Sequence, residues 1–275
     1  MMMIFRSKYA PTVICLIFCV SFCLFRSART VEAWGRLEDI RYKLKPSDGN
    51  LWSHLTGRGR MVTGREAPGS VVITFDDGPD HRTTPVILDI LDKYDYRAVF
   101  FINCHQIHHA SAAAEENMAV LRDMYRRGHY IGNHTFGHLD PDTVTLEDAW
   151  HDVVHCEQLI ESVTGREPTL YRPPFGKLPP QIRKRLDYSG YTTVMWNMDT
   201  QDWRYSDPAA LKRRVKTIVD ENGGGILLFH DTNSVVVEAL DGIMQMLTQR
   251  DNENPDTSEH HIELAGIESF IQSRR

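Results

Sequence analysis

Residues 71–75 (VVITF) form an apolar, strand-favouring run that stops at two adjacent carboxylates, Asp76 and Asp77, and a Gly78-Pro79 turn. The same order recurs along the chain: a short apolar run, a polar loop, then a stretch whose apolar positions return every three or four residues. This patterning predicts strands at 71–75, 98–103, 130–133, 170–172, 192–196, 225–229 and 261–264. Helices are predicted between them at 84–94, 116–127, 146–164, 180–189, 208–221 and 235–250. Strand and helix alternating this often argue for an α/β fold of parallel strands joined by helical crossovers. The pattern is compatible with an open sheet or a barrel, and in both the chemistry sits in the loops after strand C-termini.

Helix 146–164 has the clearest face. Leu146, Ala149, Val153, Cys156, Ile160 and Val163 form its apolar stripe, and His151, His155, Gln158 and Ser162 its polar side. Residues 34–69 are polar, rich in Gly and Arg, and lack a sustained period, so they read as an N-terminal arm or linker. The main folded domain is expected over 70–272. At the start of the chain, Arg6 and Lys8 precede the uncharged run 9–25, and Val31-Glu32-Ala33 places small residues where a signal peptidase reads. Residues 1–33 are therefore expected to be an export signal cleaved after Ala33. The alternative is an uncleaved membrane anchor, since run 9–25 is at the short end of what spans a bilayer. Either way the body of the protein is expected outside the cytoplasm, secreted, periplasmic or in the envelope.

Length and composition, 275 residues with 41% hydrophobic and 25% charged, fit one large domain. Loss of 1–33 would deepen the net charge of −6 by removing four basic residues and one acidic residue. Such acidity speaks against nucleic acid as a partner, and the chain is expected to act as a monomer. Outside the leader only Cys104 and Cys156 remain. One disulfide is permitted, but a domain of this length needs none, and the apolar position of Cys156 favours two buried thiols.

The chemistry collects after the strands. Asp76 and Asp77 follow the first, His134 and His138 the third, Arg172 the fourth, Asp199, Asp202 and Trp203 the fifth, and His230 and Asp231 the sixth. Parallel strands would bring all five groups to one rim. Two imidazoles and a carboxylate are a common ligand set for a catalytic zinc. His151 and His155 share the spacing of His134 and His138 but lie on a helix's polar face, so they are read as solvated surface. His105, His108 and His109 are read as a polar loop.

TFDDG, HTFGH, RPPFG, DTQDW and LLFHD, in this order, resemble the five motifs of the NodB-like polysaccharide deacetylases, the family 4 carbohydrate esterases. The resemblance spans about 70–270. It implies a distorted (β/α) barrel with fewer than eight strands, one divalent metal ion, usually Zn2+ with Co2+ or Mn2+ as alternatives, and removal of N- or O-acetyl groups from a glycan polymer or oligomer. Carried onto this chain, it makes Asp77, His134 and His138 the metal ligands and Asp76 the general base, held by Arg172. His230 becomes the general acid, its basicity raised by Asp202. Substrate contacts fall to Pro173, to Phe175 through its backbone N–H, and to Trp203 and Leu228 around the acetyl methyl. Asp199 and Asp231 could support the site by hydrogen bonding or take part directly. An export signal without a recognisable chitin-binding module points to peptidoglycan ahead of chitin, with acetylxylan esterase and a catalytically silent glycan binder as alternatives.

Overall fold

The computed structural model describes residues 59–109, 113–252 and 261–272. Residues 1–33, expected to be an export signal, and most of segment 34–69 lie outside these residues. The strands are β1 (Arg60–Val62), β2 (Ser70–Asp76), β3 (Val99–Ile102), β4 (Tyr130–Asn133), β5 (Leu170–Tyr171), β6 (Thr192–Val194), β7 (Met198–Asp199), β8 (Gly225–His230) and β9 (Glu263–Leu264). The helices are α1 (Thr84–Lys93), α2 (Ala114–Arg126), α3 (Leu146–Thr164), α4 (Pro180–Tyr188), α5 (Pro208–Asn222), α6 (Ser234–Asp251) and α7 (Glu268–Gln272).

All ladders are parallel, and the sheet runs β1-β6-β5-β4-β3-β2-β8-β7, with β9 paired to the first two residues of β2. No ladder joins β1 to β7 among the described residues, so this is a curled sheet matching a distorted (β/α) barrel. The seven expected strands are present. Two short ones bring the sheet to nine: β7, and β1, which pairs with β6 from within the segment read as an arm. Three residues without alternation carry no periodic signal, and β1 exists because the exposed edge of β6 supplies its hydrogen-bond partners.

Side-chain alternation in β2 sorts the core. Val71, Ile73 and Phe75 pack with Ile87, Leu88 and Leu91 of α1 and with apolar residues of α5 and α6. Val72 faces the other way and packs with Val62, Val99, Phe101, Val194 and Ile226 on the inner side of the sheet. Each fully buried aliphatic side chain of this kind stabilises the fold by about 1.5–3 kcal/mol relative to exposure. By the same alternation Thr74 and Asp76 follow Val72 inward, and this gives the strand a polar end inside the barrel.

The helices begin and end where local chemistry requires. Thr145 caps α3 by accepting from the Asp148 N–H, and Gly165 ends it at φ +72°, a left-handed position that costs glycine little. Asp207 caps α5 ahead of Pro208.

Cys104 and Cys156 are disulfide-bonded, not two free thiols. The apolar stripe that suggested an isolated buried thiol instead points Cys156 of α3 at the 3₁₀ turn Cys104–Ile107 after β3, with the two Cα atoms 5.2 Å apart.

Candidate active site

Asp76, the last residue of β2, is buried, and its Oδ1 accepts from Arg172 Nη1 at 2.7 Å. The Arg172 guanidinium is wholly buried. It also donates to Thr74 Oγ1 at 2.7 Å and to the carbonyls of Val194 at 3.0 Å and Met195 at 3.3 Å. Its Cζ lies 4.1 Å from the centre of the Phe101 ring. This is a fixed cation with its donors aimed, as a planar fork allows. Burial pushes the Asp76 carboxyl above its ordinary range, and Arg172 and His230 oppose that rise without cancelling it.

Asp77 does not continue the strand. Its φ of +73° turns the chain, so two adjacent carboxylates that a strand would send to opposite faces both reach the rim. Thr135 (+67°), His138 (+51°), Phe175 (+58°) and Gln201 (+53°) share this left-handed conformation. Of six such non-glycine residues among those described, only Asp95 lies outside the site loops. Each such position costs about 1–3 kcal/mol, so backbone strain is concentrated where the candidate chemistry is.

Asp77 Oδ1 is 3.6 Å from His134 Nε2 and 3.5 Å from His138 Nε2. That oxygen is buried and has no hydrogen-bond partner. The His134 Nδ1–H donates to the Arg172 carbonyl at 2.8 Å, which leaves the Nε2 lone pair facing the aspartates. Burial pulls the His134 pKa down to about 3, against the pull of Asp77, so the ring is neutral. An orphaned carboxylate oxygen between two imidazole nitrogens, one of them in the correct tautomer, fits a divalent cation with nitrogen and oxygen preference. This is the only group of three or more such donors close enough to hold a metal ion among the described residues.

Across the rim, His230 Nδ1 is 2.7 Å from Asp202 Oδ1, and Asp202 Oδ2 accepts from the His230 backbone N–H at 3.0 Å. Burial opposes the imidazolium, but the Asp202 hydrogen bond and charge, with Asp76 and Asp77 behind them, outweigh it and raise the His230 pKa to about 9. The ring is therefore protonated at neutral pH. Its Nε2 lies 3.9 Å from Asp77 Oδ2. Trp203 is exposed and lines an open cleft of about 790 Å³ with Asp77, His230, Arg82 and Asn233. Leu228 is buried in β8, paired with Thr74 and Asp199. Pro173 leads into the 3₁₀ turn Pro174–Gly176, and the exposed Phe175 ring stands edge-on to His138 with centroids 4.6 Å apart.

The remaining expectations separate cleanly. Asp199 accepts from the Gln201 N–H and shapes its own turn. Asp231 is buried, accepts from Thr84 Oγ1 at 2.6 Å, and is raised by burial to about 7. His151 and His155 are exposed on α3. The His155 ring nevertheless stacks on Phe136 at 4.1 Å, with His108 5.8 Å away, in a cluster apart from the metal donors. Sequence reasoning missed Thr74, which supports Arg172, and Asn133, whose Oδ1 accepts from the Thr135 N–H at 2.8 Å. Thr74 was legible in principle, being two residues before Asp76 and so on the same face. A second cavity, about 390 Å³, opens at the opposite end of the strands around Tyr130, Leu170 and Ile267 and includes none of these groups.

Comparison with known proteins points to one family. The polysaccharide deacetylase family model matches residues 63–194. Over 185 residues the chain is 31% identical to a peptidoglycan-N-acetylglucosamine deacetylase of Bacillus cereus, covering 66% of this chain and 82% of the relative. Identity to the peptidoglycan-N-acetylmuramic acid deacetylase PdaA of Bacillus subtilis is 26% over 236 residues, 82% of this chain and 87% of the relative. For other curated relatives the chain spans as little as 35% of their length. A solved family 4 carbohydrate esterase pseudoenzyme from Bacillus anthracis shares the fold, with a TM-score of 0.66 and 23% identity over 79% of this chain and 70% of that one. The fold is a curled parallel sheet with the candidate groups gathered at one rim. The chain belongs to the polysaccharide deacetylase family, the family 4 carbohydrate esterases, which hydrolyse amide bonds.

Proposed function

We propose that the protein is a metal-dependent N-deacetylase of the acetylated amino sugars of peptidoglycan, releasing acetate. The observation that carries this reading is the placing of Asp77, His134 and His138 between a carboxylate held by Arg172 and an imidazolium held by Asp202. Asp77, His134 and His138 would hold a divalent ion, Zn2+ by donor set, which when bound acidifies water and polarises the acetyl carbonyl.

The chain's own residues divide the remaining work. Asp76 has one oxygen fixed by Arg172 and offers the other as general base for the attacking water. The Phe175 N–H donates to the oxygen that gains charge when the amide carbon becomes tetrahedral. His230, charged through Asp202, donates its Nε2 proton to the departing sugar nitrogen. Without that proton the leaving group would be an amide anion, which explains why an acid that is still protonated at neutral pH is required. Leu228 and Trp203 wall the space for the acetyl methyl, and Pro173 sets the entry of the turn bearing Phe175. Curated relatives at 31% and 26% identity named as peptidoglycan deacetylases support the glycan class. Export through residues 1–33, cleaved or retained as an anchor, would place the enzyme at that substrate. Among the described residues no helix is long and apolar enough to cross a membrane.

The test is acetate release by the zinc-loaded protein from peptidoglycan, N-acetylglucosamine oligomers and acetylated xylan. Preference for peptidoglycan is expected. A clear preference for xylan would transfer the reading to O-acetyl ester hydrolysis, and zinc-bound protein inert on all three would make it a silent relative.

A further inference from the structure

The His134–His138 loop carries two left-handed non-glycine residues within five positions, Thr135 at φ +67° and His138 at +51°. Something must keep it in that shape, because each such residue favours relaxation to ordinary backbone by about 1–3 kcal/mol. The buried Asp152 of α3 stands opposite its centre. Both carboxylate oxygens accept from the Gly137 N–H, each at 3.0 Å, and the Asp152 backbone carbonyl accepts from the Phe136 N–H at 3.0 Å. On the other side, Thr135 and Phe136 give their carbonyls to the N–H groups of Cys104 and His105, at 3.1 and 2.9 Å. Cys104 is in turn disulfide-bonded to Cys156, one helical turn beyond Asp152. Among the described residues no lysine, arginine or histidine forms an ion pair with Asp152. Burying a carboxylate without a cation is costly, so its use here against a single backbone N–H, that of Gly137, needs a return other than packing.

We propose that Asp152 is a positioning residue that clamps the Gly137 N–H and thereby holds His138 at the geometry in which it can share an ion with Asp77 and His134. The inference rests on the reading of those three residues as a metal site. An amide at position 152 could accept through only one oxygen and would turn its NH2 toward the Gly137 N–H, so Asp152→Asn removes half of the clamp at nearly constant volume.

The experiment compares wild type, Asp152→Asn, Asp152→Ala and, as a control on the exposed neighbour in α3, His151→Ala. Zn2+ affinity is measured by calorimetric titration of metal-free protein, the Co2+ visible spectrum reports the ligand field, and the thermal midpoint without metal reports folding. Zn2+ affinity in both Asp152 variants is expected to fall about 10–100-fold, with an altered Co2+ spectrum, while His151→Ala matches wild type. If Asp152→Ala does not fold, Asp152→Asn carries the test alone. A folded Asp152→Asn that binds Zn2+ as tightly as wild type, with an unchanged Co2+ spectrum and only a lowered thermal midpoint, would reduce Asp152 to a packing role and overturn the proposal. Wild type that binds neither ion would overturn the metal reading and the clamp together.

Discussion

Replacing Asp202 by Asn keeps the size of the side chain and removes the charge beneath His230. In the native chain burial opposes protonation of His230, yet its pKa is raised from 6.5 to about 9, with the Asp202 hydrogen bond and charge the strongest raising influences. At 1.36 kcal/mol per pH unit, that rise amounts to about 3 kcal/mol of preference for the imidazolium in the folded state. Without the carboxylate, burial is countered only by Asp76 and Asp77, and the pKa should drop by roughly two pH units. NMR titration of the His230 ring in metal-free protein measures this directly, with His230→Gln providing the assignment. The same shift has a stability counterpart. The folded pKa lies above the unfolded one, so the stabilisation is fully present below pH 6.5 and is lost as pH rises toward 9. The stability gap between wild type and Asp202→Asn should therefore be widest in mild acid and narrow across that window, followed by urea unfolding at several pH values. A variant whose His230 still titrates near 9, or a gap that widens with rising pH, would refute the assignment of the charge to this pair.

Arg172→Met strands Asp76 as a buried, unpaired carboxylate and should cost about 3–5 kcal/mol in urea unfolding, with part of the loss recovered on adding Asp76→Asn. Reducing the Cys104–Cys156 bond, which closes 52 residues of chain, should lower stability by up to about 4 kcal/mol; an unchanged unfolding midpoint with reductant would contradict this. A methyl group in Gly132→Ala would sit 2.4 Å from the Phe101 ring, and thermal melting should show a loss of about 1–3 kcal/mol. That ring carries the Arg172 guanidinium, so the variant should also lose acetate release beyond what its stability explains.

Much of the site was legible because parallel α/β folds put successive strand ends on one rim. Residues that follow strands in sequence, from Asp76 to His230, therefore become neighbours without any knowledge of the loops. The polar end of β2 was equally readable, since alternation alone sends Thr74 and Asp76 to one face. The pairing of Arg172 with Asp76 and of His230 with Asp202 came through the family resemblance, and the structure places both pairs at 2.7 Å. Short strands were less legible. β1 and β7 carry too few residues to show a period, and a sheet edge decides whether they form.

The sequence by itself determined the alternation of elements, the inward face of β2 and the order in which acids and imidazoles reach the rim, all of which follow from periodicity and chain direction. Only the tertiary structure decided how adjacent residues diverge. It turned Asp77 out of the strand at positive φ, joined Cys104 to Cys156 across 52 residues, and set Asp152 against the histidine loop. The physical reason is that strained backbone, a disulfide and a buried carboxylate are each held by partners distant in sequence, and no local pattern records those partners.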